Sequence, residues 1–248
     1  MIRLGIDIGG SAIKAALVNL DTGEIVSDTL RAKNNIETKP HDAAVNILRI
    51  MRKLDYSGPL GVGFPGRLVK NVLHKAPNLH PEWLNNDLTV FFEENTKSKT
   101  VVLNDADAAA LAELNFGDPR IKTTTRAMFL TLGTGIGSAL ILNGQIWNDT
   151  EFGQLIFEGK RTMENVGAAA VKRIENLSWK QWGIRLNSVL EKYDFYFSPE
   201  LFVLGGAISS SLDKFQRYLD FPEEKVIAAK LGNDAGIIGA AMATEKIV

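Results

Sequence analysis

Four glycine turns in this sequence each follow an apolar run: Gly9-Gly10, the GFPG of residues 63–66, the GTGIG of residues 133–137, and Gly205-Gly206. Glycine lets a backbone approach a ligand closely and adopt positive φ. Successive N–H groups in a turn form an anion-binding concavity. One such turn says little, because tight turns account for most glycine pairs. Two that precede hairpins, together with a strand–Gly-Gly–helix, point to a nucleotide or polyphosphate held between two similar halves. A carboxylate, Asp7, stands two residues before the first pair. A phosphate cradle is normally built from N–H groups and cations, so this acid needs a reason. Asp105 and Asp107 are a second acidic position, near the start of an alanine-rich helix where the dipole favours anions.

The elements that must position these residues read as an α/β protein. Residues 4–26 (LGIDIGGSAIKAALVNLDTGEIV) and 128–147 (MFLTLGTGIGSALILNGQIW) form a weak internal repeat. Each copy reads as strand, glycine turn, strand, tight turn, strand, with Asp-Thr-Gly and Asn-Gly as hairpin signals. Val45, Leu48, Met51 and Leu54 are spaced for one face of a helix over 41–54. PLGVGFPG reads as a short strand, and VVLNDADAAALAEL as a buried strand followed by a helix. Residues 165–193 read as mainly helical. LFVLGGAISSSLDKF reads as strand, Gly-Gly, then a helix opened by serines, and NDAGIIGAAMATEKI as a capped closing helix. Strands alternating with helices place the site at the strand ends.

Composition narrows the class. Lysine plus arginine number 28 against 29 acids, which argues against a nucleic-acid partner. Cysteine is absent, so disulfides and thiolate metal sites are excluded. No stretch of about 18 uncharged apolar residues marks a membrane span. The opening MIRLGIDIGG reads as a strand rather than a signal peptide, and the expectation is a cytoplasmic protein without a membrane partner.

The arrangement resembles the actin-like, sugar-kinase and heat-shock ATPase superfamily, a two-lobed fold related to ribonuclease H. More closely it resembles the ROK (repressor, open reading frame, kinase) family. DIGGSAIK (7–14), VGFPG (62–66), APNL (76–79), LNDADAAALAE (103–113), LGTGIGSA (132–139), EFGQ (151–154) and LGGAIS (204–209) carry the likeness, in the family's order and across nearly the whole chain. LTLGTGIGSALILNGQIW, SWKQWGIRLN, FSPELFVLGGAIS and NDAGIIGAA look most like the polyphosphate glucokinase branch.

The resemblance implies transfer of a phosphoryl group from polyphosphate or ATP to the 6-hydroxyl of glucose. It implies Mg²⁺ as cofactor, held by Asp7 through water, which accounts for the acid beside the phosphate turn. Gly9, Gly10 and Ser11 would donate to phosphate. Lys14 is either a phosphate-binding cation or a solvated strand lysine. Gly133, Thr134, Gly135 and Gly137 would grip the donor's phosphates, and Gly205 and Gly206 would lie against an adenosine. Asp105 would be the catalytic base, with Asp107 as a first-turn partner of the helix dipole. Asn104, Asn78, Gly66 and Glu151 would bind the sugar.

The family pattern Glu-x-Gly-His is EFGQ here, so Gln154 stands where a histidine normally helps bind the sugar. That leaves open another hexose such as mannose or fructose, or a weakened sugar-binding homologue. ROK repressors carry a DNA-binding domain ahead of the sugar lobe, which Asp7's position speaks against. The expected lobes are residues 1–112 and 113–248, with a last helix over about 234–246 packing back on the first lobe. The likeness also implies a homodimer.

Overall fold

The computed structural model describes residues 1–247, with side chains described through Glu245. From the N-terminus the elements are β1 (Ile2–Ile8), β2 (Ala12–Asn19), β3 (Leu30–Lys33), α1 (Pro40–Lys53), β4 (Leu60–Phe64), β5 (Arg67–Val69), β6 (Val72–Lys75), α2 (Leu88–Thr96), β7 (Thr100–Asn104) and α3 (Asp105–Phe116). There follow α4 (Arg120–Thr123), β8 (Arg126–Leu132), β9 (Ile136–Leu142), β10 (Gln145–Trp147), β11 (Ile156–Glu158), β12 (Arg161–Thr162), α5 (Met163–Gly167), α6 (Ala169–Ile174), α7 (Trp179–Phe197), β13 (Leu201–Gly205), α8 (Leu212–Phe215), β14 (Val226–Ala228) and α9 (Ala235–Ala243). The chain forms two compact units. One is Met1–Phe116 with the segment from Asp234 onward; the other is Gly117–Asn233.

The first unit holds a sheet of order β3-β2-β1-β4-β7, and the second a sheet of order β10-β9-β8-β13-β14. In both, the first three strands in sequence are antiparallel and the other two join in parallel. The internal repeat is thus a repeat of sheet topology. The turns follow the expected chemistry. Gly23 sits at φ 73°, and Asn143 and Gly144 are both at positive φ. The third strand of the first copy is reduced to one bridge, Val18 to Ile25.

Each sheet has its own core. In the first unit Phe64, Trp83, Phe91 and Phe92 form an aromatic cluster, with Phe64 and Trp83 edge to face at 4.9 Å, a favoured arrangement for aromatic pairs. α2 and the β5–β6 hairpin that flank it were not foreseen. Helix α1 buries Ala43, Ala44, Ile47, Ile50 and Met51. The sequence held two overlapping apolar stripes, and the sheet takes this one rather than Val45, Leu48 and Leu54, which are only partly buried or lie beyond the helix end.

Helix α9 lies directly on the first sheet. A methyl group on Gly61 of β4 would overlap the carbonyl oxygen of Ala240, and one on Gly239 would overlap that of Ala108 on α3. Backbones this close leave no room for a side chain. The expected cap does not form: the Asp234 side chain makes no capping bond. At the other end Thr244 Oγ1 donates to Ala241 O at 2.7 Å, and the chain continues as a 3₁₀ turn from Thr244 to Ile247. After β13 the expected helix is also a 3₁₀ turn, Ala207–Ser211, before the short α8. Ser209 and Ser210 donate their hydroxyls back to the carbonyls of Gly206 and Ala207, which competes with regular helix formation. The helical span after the second repeat breaks at Ala168 and between α6 and α7. No helix among the described residues is long and apolar enough to cross a membrane.

Candidate active site

In the first unit Asp7 and Lys14 are direct partners in the β1–β2 register, so their side chains share a sheet face. Lys14 Nζ is 3.4 Å from Asp7 Oδ2. Lys14, expected at phosphate or in solvent, meets the Asp7 carboxylate. Burial pushes the Asp7 carboxyl above its ordinary value, and Lys14 offsets only part of that rise, because a buried charge loses its hydration. The Gly9–Ser11 turn between the two strands closes through Gly9 N–H to Ala12 O at 2.9 Å. Asn34, almost fully buried, donates Nδ2–H to Gly9 O at 2.6 Å. It anchors the turn from the neighbouring loop, and a lone asparagine outside any motif gave no warning of this. Gly10 lies against Asn78.

Asn104 ends β7 and caps α3. Its Oδ1 accepts from the N–H groups of Ala106 at 2.8 Å and Asp107 at 3.3 Å, satisfying donors that a helix start leaves unpaired. Its Nδ2 donates to Gly66 O at 3.0 Å. Gly66 sits at φ 112°, and a methyl there would overlap Lys75 O. L side chains avoid that region of φ. One asparagine therefore joins the GFPG turn to the helix start and sets Asp105 at the first residue of α3. Asp105 Oδ1 accepts from Ala106 N–H at 2.8 Å. Asp107, expected as a first-turn charge, is 1% exposed, because its position on α3 faces the packed interior.

In the second unit Gly133 and Thr134 are exposed at the tip of the β8–β9 turn. Gly133 N–H donates to Gly135 O at 3.0 Å, and Ala170 N–H of α6 donates to Gly133 O at 2.9 Å. Gly137 is inside β9, paired with Thr131. Gly206, at φ 84°, packs on Leu132, and Gly205 on the Phe129 ring. These turns border a cavity of about 440 Å³ lined by Gly133, Thr134, Arg173, Trp179, Ala207 and Ser211 among others.

The EFGQ segment is a 3₁₀ turn held to β9 by Ser138. Ser138 Oγ donates to Thr150 O at 3.1 Å and accepts from Phe152 N–H at 2.9 Å. Thr150 Oγ1 donates to Ser138 O at 2.7 Å, and Tyr193 OH donates to Phe152 O at 3.0 Å. Glu151 and Gln154 are joined through Gln154 N–H to Glu151 O at 3.0 Å. Ser138 was legible in principle, since a polar residue at an inward strand position must find a partner.

The site residues fit Mg²⁺. Among the described residues no three His, Asp or Glu side chains gather as a metal cage. Mg²⁺ does not ask for one; it takes one or two carboxylates and fills its octahedron with water and phosphate oxygens. Asp7, beside the Gly9–Ser11 turn, could supply such a carboxylate.

One prediction concerns Asp7 alone. Its folded-state pKa is raised above the ordinary value of 3.8. Its contribution to stability is therefore full below the unfolded pKa and is lost as pH rises through the folded one. Asp7→Asn removes that loss. With chelator present, the variant's melting temperature should gain on the wild type as pH rises from about 4 to 7. A gap that moves the other way would show that the Lys14 pair outweighs burial.

Two sheets of one strand order, each with a glycine turn inside its antiparallel pair, define the actin-like ATPase fold that sugar kinases share. The ROK family pattern matches residues 3–155, and the chain belongs to the ROK family. A polyphosphate glucokinase of Mycobacterium tuberculosis (strain CDC 1551 / Oshkosh) is 37% identical, over 97% of this chain and 90% of its own. The crystal structure of inorganic polyphosphate/ATP-glucomannokinase from Arthrobacter sp. strain KM matches with a TM-score of 0.91 and 32% identity, covering 100% of this chain and 99% of its own. A ROK family glucokinase from Streptomyces griseus, solved with glucose and AMPPNP, shares the fold at a TM-score of 0.82 and 22% identity, covering 99% and 100%.

Proposed function

We propose that this chain is a sugar kinase that transfers a phosphoryl group from polyphosphate or ATP to the 6-hydroxyl of glucose. The observation that carries this is the 37% identity to a polyphosphate glucokinase over 97% of the chain. The local geometry supports it. Asp105 opens α3, where Asn104 fixes the backbone on both sides, and from there it accepts the proton of the attacking hydroxyl. Asn78, Gly66, Glu151 and Gln154 bind and orient the sugar. Asn104 contributes through its cap and its bond to Gly66 more than through free hydrogen-bonding groups. The turns Gly9–Ser11 and Gly133–Gly137 hold donor phosphates with backbone N–H groups. Lys14, paired to Asp7, keeps a positive charge beside the first turn. Asp7 would hold Mg²⁺, which neutralises charge on the donor's phosphates. A cytoplasmic homodimer completes the reading; Phe195 and Tyr196, exposed near the end of α7, offer apolar surface for it. A coupled assay over five hexoses, each with ATP and with polyphosphate, tests the proposal, and absence of turnover in every combination would end it.

A second acceptor has its own support. The Arthrobacter protein is a glucomannokinase by name, so mannose belongs beside glucose in the assay. Gln154 bears on the choice. Its amide both donates and accepts, so it reproduces a neutral imidazole's hydrogen bonds. It cannot carry a proton near neutral pH as histidine can. The expected cost is about 1 kcal/mol, the scale of one neutral hydrogen bond. Gln154→His should lower the glucose KM several-fold and leave kcat nearly unchanged. If the variant instead switches on a silent protein, the weakened-homologue reading replaces this one. If another hexose is turned over well while glucose stays poor in both forms, the acceptor is that hexose.

A further inference from the structure

Three basic side chains gather at the cavity of the second unit, one in its lining and two over the ring of Trp179 beside it. Lys172 Nζ lies 4.3 Å from the centre of the Trp179 ring, and Lys214 Nζ lies 5.6 Å from it. Arg173 lines the cavity itself, as does Trp179. None of the three cations pairs with a carboxylate among the described residues. Of the nearby acids, Glu175 is committed to Arg185 at 2.7 Å, and Glu164 lies against Gly135 at the turn rather than at the Trp179 ring. Trp179 is fixed in turn: Phe215 stacks on it at 5.9 Å with 12° between planes, and Trp182 meets it edge to face at 6.1 Å. A rigid ring with lysines over it holds those ammonium groups in place before any ligand arrives.

We propose that Lys172, Arg173 and Lys214, gathered round Trp179, form a track for the phosphates of an inorganic polyphosphate donor that lie behind the one transferred. This rests on the donor reading above and names the residues that would make polyphosphate the better donor. The cavity also takes in Gly133 and Thr134 of the phosphate turn, so the charges continue from the point where the terminal phosphates are gripped. A row of cations suits a chain of like negative charges. ATP has three phosphates, then a ribose and a base, and a base seeking the Trp179 face would meet Lys172 there. Lys172 and Arg173 do end α6, where cations suit the helix dipole. The dipole explains neither Lys214, which comes from α8, nor the convergence on one ring. No basic run in the sequence marks the track, because its members come from two helices and are assembled only by the fold.

The test is donor kinetics on Lys172→Ala/Lys214→Ala and on Arg173→Ala. A second pair, Lys172→Met/Lys214→Met, keeps the aliphatic stems on Trp179 in case the alanine pair melts early. Donors are long-chain polyphosphate, tripolyphosphate and ATP, each over a range of salt. The KM for long chains should rise about tenfold in the double variants, at least five times more than the KM for ATP. The fall of long-chain affinity with salt should become shallower, since fewer counterions are released when fewer cations bind the chain. Tripolyphosphate, too short to follow the track, should lose less than the long chains. Lys99→Ala removes one charge from the first unit, as Arg173→Ala does from the second, and should leave all three constants alone. An equal rise for every donor, or an unmoved long-chain KM, overturns the track while the kinase reading stands. A wild type that uses ATP and ignores polyphosphate overturns both the donor choice and the track. A wild type that uses neither removes the kinase reading itself.

Discussion

Asp105→Asn is expected to lower kcat about a thousandfold while leaving the glucose KM within a few-fold of the wild type. The substitution keeps size and the Ala106 N–H contact and removes only the ability to take a proton. General-base catalysis by one side chain is worth roughly 10²–10⁴ in rate. The loss should therefore appear in kcat and in kcat/KM together, the pattern of an interaction made only in the transition state. Steady-state kinetics with saturating donor reads the first quantity, and glucose titration monitored by intrinsic fluorescence reads binding directly. The fold gives this residue its weight. Asn104 caps α3 and ties Gly66 in the same step, so Asp105 has little freedom to be elsewhere. A variant with a tenth of the wild-type kcat would mean that another group takes the proton. Asp107 is poorly suited to that role, because it is buried within the α3 packing.

The second large effect is on stability. Gly239→Ala should lower the melting temperature by about 5–10 °C, although alanine is the better helix former by about 1 kcal/mol. The added methyl would overlap the Ala108 carbonyl oxygen. A carbonyl in the middle of α3 cannot swing aside as a side chain can, so α9 must lift from α3 or α3 must bend. Overpacking of this kind costs about 1–3 kcal/mol and sometimes more. For a chain of this size each kcal/mol is worth roughly 2–4 °C. Gly61→Ala should do the same from the sheet side, where the Ala240 carbonyl is the obstacle. Thermal and urea unfolding measure both. An unchanged or raised melting temperature would show that propensity outweighs the close approach, and that α9 sits less tightly than described.

Much of this architecture could be read from the chain because its signals are local. Asp-Thr-Gly and Asn-Gly turns, paired apolar strands and the glycine turns before them needed no tertiary context, and the two sheets of equal order carry them as read. The actual faces of the helices needed the neighbours. Val45 and Leu48 have helical spacing as good as that of Ile47 and Ile50, and only the sheet decides between them. The closing helix reads as capped, and Asp234 at its start makes no capping bond. Asp107 reads as a first-turn charge and stands in the first turn, yet it is interior. The candidate site shows the same division. Asp7, Asp105 and the glycine turns stand in recognisable strings. Asn34, and the grouping of Lys172 and Arg173 with Lys214, were not visible, because each works through a residue far away in sequence.

The order in which the first unit's parts are made has a consequence for the cell. Its sheet and α3 leave the ribosome early, yet α9, which covers β1 and β4, follows only after the whole of Gly117–Asn233. At usual elongation speeds that interval is on the order of ten seconds. Throughout it, the face of β1 and β4 that carries Gly5 and Gly61, and the Ala108 side of α3, lack the helix that packs on them. The nascent first unit therefore waits with strand and helix backbone uncovered on its glycine-lined side, while the uninterrupted second unit can close as soon as it emerges.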